Sequence, residues 1–176
     1  ADIPERFERV AFADLDQIVQ AGGGHIGARP RHLSAFKLAA DEVTAAVIAQ
    51  RGEVDLRHLS NLPTEDAMAW LEKLPGIARK ISAGILNSSR FARRTMVIDS
   101  HHRRIAQRMG LVPPKADTAR AYNALMPIVP EQWSADDIDE HHLLVKKVGQ
   151  QYCKPSSLDC AHCPVCQWCE TGKGRC

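Results

Sequence analysis

No stretch of this 176-residue chain approaches eighteen consecutive apolar residues, so no membrane-spanning helix is expected. The first residues, Ala1-Asp2-Ile3-Pro4-Glu5, show no basic segment followed by an apolar one, so no secretory leader is visible. A starting Met is also missing, as in a processed or truncated chain. No run alternates apolar and polar residues as a half-buried strand does, which points away from β folds. Net charge is only +2 and excludes little by itself. Its distribution says more. From Arg79 to Arg108 there are eight Lys or Arg and a single acid, Asp99, whereas Asp136, Asp137, Asp139 and Glu140 cluster elsewhere. Charge segregated in this way suits a protein that presents a basic face to a polyanion.

Cysteine is absent from the first 152 residues; all six lie between Cys153 and Cys176. A terminal cluster with short spacings reads as a metal site in a reducing compartment, not as a disulfide scaffold. Cys153-x6-Cys160-x2-Cys163-x5-Cys169 supplies four thiolates, one for each iron of a [4Fe–4S] cube. Cys160, Cys163, Cys166 and Cys169 stand at regular x2 spacing and offer a second set, for zinc in an S4 site or for a cluster that leaves Cys153 free. The metal's part in either case is structural, replacing a core that this polar, loop-rich tail could not build.

What is present is helical punctuation. A short helix is expected over 14–21, stopped by Gly22-Gly23-Gly24. Pro30 opens another, with Leu33, Phe36, Ala40, Val43 and Val47 at helical spacing and Gly52 as its stop. Residues 54–59 are ambiguous. Thr64 reads as an N-cap, with Glu65 and Asp66 in the first turn of a helix running to about Lys73. After a turn at 74–77 a helix is expected over 78–89, then a basic loop at 90–95. Asp99 caps a helix reaching Met109, and Gly110 ends it; Asp117-Thr118 starts another. Ser134 caps a long last one, in which Ile138, His142, Val145 and Gly149 share a face. The fold should be all-α.

Helix, Leu74-Pro75-Gly76-Ile77-Ala78, helix is a helix-hairpin-helix pattern. The N–H groups of Gly76 to Ala78 lack intrahelical partners and can hydrogen-bond a DNA phosphate, which fixes position without reading sequence. Lys80 sits in the first turn of the following helix, and Asp99 follows it by nineteen residues. The adjacent pairs His101-His102 and His141-His142 point about 100° apart on a helix, which suits structural or phosphate-facing roles better than joint ligation. Trp70, Trp133 and Trp168 are expected to pack, and the loop 22–27 with His25 is either a connector or a wedge for the duplex.

Leu74-Pro-Gly-Ile-Ala-Arg-Lys80, Val97-Ile-Asp-Ser-His101 and the x6, x2, x5 cysteine loop together resemble the endonuclease III branch of the helix-hairpin-helix DNA glycosylases, over roughly residues 14–170. Val54-Asp-Leu-Arg-His-Leu-Ser-Asn-Leu-Pro-Thr-Glu-Asp-Ala67 with the hairpin after it is similar to plant 5-methylcytosine glycosylases and their bacterial relatives. The resemblance implies two all-α lobes with DNA across the cleft between them: residues 1–96, ending in the hairpin at 70–89, and residues 97–176, carrying the cluster loop at 153–169. It implies Lys80 as nucleophile and Asp99 as essential carboxylate of a bifunctional glycosylase and AP lyase, excising a damaged base, an oxidised pyrimidine first of all. A mismatched or methylated pyrimidine, or a DNA-binding module without chemistry, are the alternatives. It further implies a [4Fe–4S] cluster on Cys153, Cys160, Cys163 and Cys169, with zinc as the alternative, and DNA contacts at Gly76, Ile77, Ala78, Arg79, His101 and Lys154. The partner would be double-stranded DNA with a damaged or abasic site, bound by a monomer away from membranes, in the cytoplasm and nucleoid or in a nucleus. Two departures stand out. Ala78 replaces a usual Gly and should be denied a left-handed backbone angle. The family's first helices have no counterpart, so the chain reads as truncated at its N-terminus.

Overall fold

The computed structural model describes residues 56–176 and, apart from them, Ala49. The helices expected over 14–21 and from Pro30 to Val47, the glycine stops and the His25 loop lie outside the described residues. Five α-helices are described: α1 (Thr64–Leu71), α2 (Arg79–Asn87), α3 (Ser100–Arg108), α4 (Thr118–Leu125) and α5 (Ala135–Gln151). Short 3-10 turns cover Arg57–Asn61, Met126–Ile128 and Cys166–Trp168. Among the described residues the only β pairing is an isolated bridge between Cys153 and Leu158. The fold is all-α. No described helix is long and apolar enough to cross a membrane.

Helix starts follow local chemistry. Asp99 and Asp117 accept the N–H three residues on, and Ser134 with Asp137 closes a reciprocal capping box at the head of α5. Thr64 is a correction: it is the first helical residue behind Pro63, and its hydroxyl accepts from Arg93 Nη1 at 3.1 Å instead of capping. The helix also stops at Leu71, short of Lys73. The N–H groups of Lys73 and Leu74 reach back only three residues, to Trp70 and Leu71, which tightens the last turn and buries Leu74 under the hairpin.

The main core gathers Leu59, Met68, Leu71, Leu86, Met96, Ile98, Leu125 and Ile138 from the turn at Arg57–Asn61, from α1, α2, α4 and α5, and from the segment before α3. A second, smaller cluster of Ile105, Met109, Leu144, Val145, Val148 and Val165 lies between α3, α5 and the cysteine loop. Here α3 and α5 approach closely. A Cβ on Gly149 would come within 2.7 Å of His101, so glycine is required for this contact.

The basic run is largely consumed inside the fold. Arg93 Nη2 donates to the carbonyls of Leu59 and Ser60, and Arg94 to those of Pro130 and Trp133. Between these arginines and α5, the buried Asn87 amide donates to Arg93 O at 3.1 Å and Ala135 O at 2.9 Å. Asn87→Ala leaves both carbonyls without that donor, and chemical denaturation is expected to show a loss of about 2 kcal/mol with an unchanged denaturant slope.

Candidate active site and cysteine loop

The hairpin turn is made by Gly76, the residue with positive φ (+75°), around which a side chain would find open space. Ala78 sits at φ −111°, ψ 175°, extended backbone that any residue adopts. The expected penalty at Ala78 is therefore absent: Gly76 makes the reversal, and position 78 only has to start α2. Ile77 N–H donates back to Leu74 O at 3.2 Å. The N–H groups of Gly76 and Ala78 have no partner among the described residues.

Arg79 faces inward. Its Nη1 lies 3.0 Å from Glu65 and its Nε 2.9 Å from Glu72, with the guanidinium 5.2 Å from the centre of the Tyr122 ring. Glu72 also accepts from the buried Ser82 hydroxyl at 2.7 Å. Arg79 thus locks α1 to α2 and has little charge left for a phosphate.

Lys80 is exposed and has no hydrogen bond or ion pair among the described residues. It lines a cleft of about 470 Å³ with Glu72, Ile77, Ala78 and Arg79 on the hairpin side and Arg103 and Asp117–Ala119 on the other. Asp99 does not line this cleft. It is 92 % withdrawn from solvent (8 % exposed) at the N-cap of α3, where Oδ1 accepts the His102 N–H at 2.8 Å. Oδ2 has no partner among the described residues, yet it is not sealed from solvent. Burial pushes this carboxyl upward, but the His102 N–H and the nearby His142, His101 and His102 together outweigh burial and hold it below the usual range. An ionised carboxylate with one free oxygen can stabilise developing positive charge.

Beneath Asp99 the rings of His102 and His141 lie 5.2 Å apart, and those of His102 and His142 6.2 Å apart. All three are buried, as the structural reading of these pairs expects. His101 is different: its Nδ1 lies 3.0 Å from Arg104 Nη2, at the close contact with Gly149.

The cysteine loop hangs from the far end of α3. Arg104 Nε donates to Cys153 O at 2.8 Å; Arg108 Nη1 donates to Cys153 Sγ at 3.1 Å and to Lys154 O at 2.7 Å. The Lys154 side chain is exposed. Cys166 and Cys176 are joined as a disulfide, leaving Cys153, Cys160, Cys163 and Cys169 free. These four line one cavity with the apolar Ile105, Met109, Val148 and Val165. Among the described residues no three His, Cys, Asp or Glu converge closely enough to hold a single ion. Burial pushes the Cys163 thiol up to about 11; the Val165 N–H opposes this, and the other three thiols reinforce it. Burial raises the Cys169 thiol as well; four soft sulfur donors around one cavity fit a polynuclear cation, which would favour their thiolate forms.

The residues that sequence reasoning missed are arginines. Arg104 and Arg108 carry no local signature, because their partners lie more than forty residues away. Arg103 had one: four residues after Asp99 is one helical turn along the same face.

The histidine cluster sets an acid limit. Burial foremost, with help from His142, drives His102 from 6.5 to about 4, and burial depresses His141 likewise. A histidine depressed in the folded state contributes stability above its unfolded pKa and loses it as the unfolded chain gains protons. Unfolding free energy from chemical denaturation should therefore be level above pH 6.5 and fall between pH 6.5 and 4, by on the order of 3 kcal/mol for His102. His102→Gln should flatten that fall; an identical pH profile in the variant would contradict it.

No family model matches the chain. It is 35% identical over 106 residues to endonuclease III of Bacillus subtilis, a match covering 60% of this chain and 46% of the relative. It is 37% identical over 101 residues to endonuclease III of Rickettsia conorii, covering 57% and 45%. The chain spans about half the length of the curated relatives it matches. Two solved structures share its fold. One is a non-covalent endonuclease III–DNA complex, with TM-score 0.61 and 20% identity, covering 97% of this chain and 70% of that one. The other is a trapped endonuclease III–DNA covalent intermediate, with TM-score 0.56 and 24% identity, covering 76% and 56%. The chain is thus similar in sequence to proteins named endonuclease III over about 60% of its length, and it shares the fold of solved endonuclease III structures.

Proposed function

We propose that the chain is a base-excision DNA glycosylase with AP lyase activity, acting through Lys80 on duplex DNA that carries a damaged base, an oxidised pyrimidine first of all. The observation that carries this reading is a lysine in the first turn of α2, without a side-chain partner among the described residues, in an open cleft beside the hairpin. The sequence relationship to proteins named endonuclease III supports it.

A base stacked in a duplex shields its sugar carbon, so extrusion comes first, at a few kcal/mol. Lys80 as neutral amine then forms a bond to C1′, while the glycosidic bond breaks and the base leaves with the electron pair and gains a proton. The sugar ring opens to a Schiff base on Nζ. Loss of a C2′ proton expels the 3′ phosphate and breaks the strand. Asp99, kept ionised at the head of α3, stabilises the cationic sugar as the base departs. The free N–H groups of Gly76 and Ala78 hold a backbone phosphate without reading sequence.

Cys153, Cys160, Cys163 and Cys169 would hold a [4Fe–4S] cluster, and the pairing of Cys166 with Cys176 takes Cys166 out of the alternative zinc set. When bound, the cluster supplies thiolate–iron bonds that tie the loop's ends together over the α3–α5 contact. Lys154, exposed between the first two ligands, would meet phosphate.

Borohydride should trap a covalent adduct between the protein and a duplex carrying an abasic site. Lys80→Gln should abolish the adduct while affinity for the duplex falls only a few-fold. Undiminished trapping in that variant would sink the assignment of Lys80.

A further inference from the structure

The Lys80 cleft contains a second cation that the proposed reaction does not yet use. Arg103 lies on α3, where its N–H donates to the Asp99 carbonyl at 2.9 Å. Its half-buried side chain lines the cleft on the side opposite the hairpin. The arginines around it are committed: Arg79 to Glu65 and Glu72, Arg93 and Arg94 to loop carbonyls, Arg104 and Arg108 to the cysteine loop. The Arg103 guanidinium makes no hydrogen bond or ion pair among the described residues. The two carboxylates that share its cleft are also engaged, Glu72 by Arg79 and Ser82, and Asp117 by the Arg120 N–H at 2.8 Å.

A guanidinium partly withdrawn from water, with no ion-pair partner among the described residues, has lost hydration that those residues do not replace. Its planar fork matches two oxygens of a phosphodiester, and such charge-assisted pairs are among the strongest hydrogen bonds available. We propose that Arg103 is a phosphate-binding residue of the Lys80 cleft, holding a phosphodiester of the DNA strand beside the nucleotide that Lys80 attacks. This rests on the reading of Lys80 as the nucleophile. The role is one of positioning: a sugar held through its neighbouring phosphate from α3 presents C1′ to an amine on α2. Because Arg103 and Asp99 share one face of α3, the same helix would orient the strand and stabilise the charge that develops on it.

The test compares the full chain with Arg103→Gln and Arg103→Lys, using a labelled duplex that carries a tetrahydrofuran abasic analogue. This probe has no aldehyde and cannot form a Schiff base, so it reads binding independently of Lys80 chemistry. Arg103→Gln should bind about tenfold more weakly at low salt, as for loss of one charge-assisted contact. Its plot of log affinity against log salt should be shallower by about 0.9, the share of one phosphate. Arg103→Lys should recover the slope and part of the affinity. With true abasic DNA and borohydride, Arg103→Gln should still trap at saturating DNA but need more DNA to reach half-maximal trapping. Affinity and slope equal to the unaltered chain would overturn the proposal, whatever the trapping result. A shallower slope in a protein whose unaltered form traps no adduct would support the phosphate contact and overturn the Lys80 chemistry alone.

Discussion

The bond from the His102 N–H to Asp99 Oδ1 is the constraint on which the candidate site depends. It starts α3, and α3 in turn places everything else that matters. One turn along it, Arg103 reaches the Lys80 cleft; further along, Arg104 and Arg108 hold the cysteine loop by its carbonyls. Packed against its inner face, α5 brings His141 and His142 beneath the carboxylate, where burial keeps the rings neutral at ordinary pH. An acid capped in this way keeps its charge because the N–H that satisfies one oxygen also stabilises the ionised form.

Lys80 is placed by a different means. The Arg79 ion pairs to Glu65 and Glu72 clamp the two hairpin helices together, so the residue after Arg79 leaves the helix start at a fixed angle. Adjacent residues on one helix turn thus divide the labour, with Arg79 turned into the protein and Lys80 left to the cleft. The same division recurs on α3 between Arg103, whose guanidinium has no partner among the described residues, and Arg104, half-buried against Gly149 and Cys153.

Much of this was legible in the sequence wherever the chemistry is local. Caps at Asp99, Asp117 and Ser134, and the stop at Gly110, depend on neighbours three or four residues away, and the structure has them there. The four-thiol spacing is equally local. What was not legible depends on distant partners. Thr64 looked like a cap and is not, because Arg93, twenty-nine residues on, takes its hydroxyl. The run from Arg79 to Arg108 looked like one basic face, but most of its guanidiniums end on carbonyls that no local pattern reveals. Ala78 looked like a flaw in the hairpin, yet the left-handed angle was needed only at Gly76. The pairing of Cys166 with Cys176 could not be read from spacing, since six cysteines leave many choices.

One carboxylate with two duties is the central claim: Oδ1 of Asp99 caps α3, and Oδ2 with the charge serves the departing base. Asp99→Asn separates the two, because asparagine caps a helix about as well as aspartate but carries no charge. The direct measurement is single-turnover release of an oxidised pyrimidine from saturating duplex DNA, beside a thermal melt of the same variant. Release should slow by about 100-fold, the scale of losing one electrostatic stabiliser, with the melting midpoint nearly unchanged. Release at the rate of the unaltered chain would leave Asp99 a helix cap and nothing more.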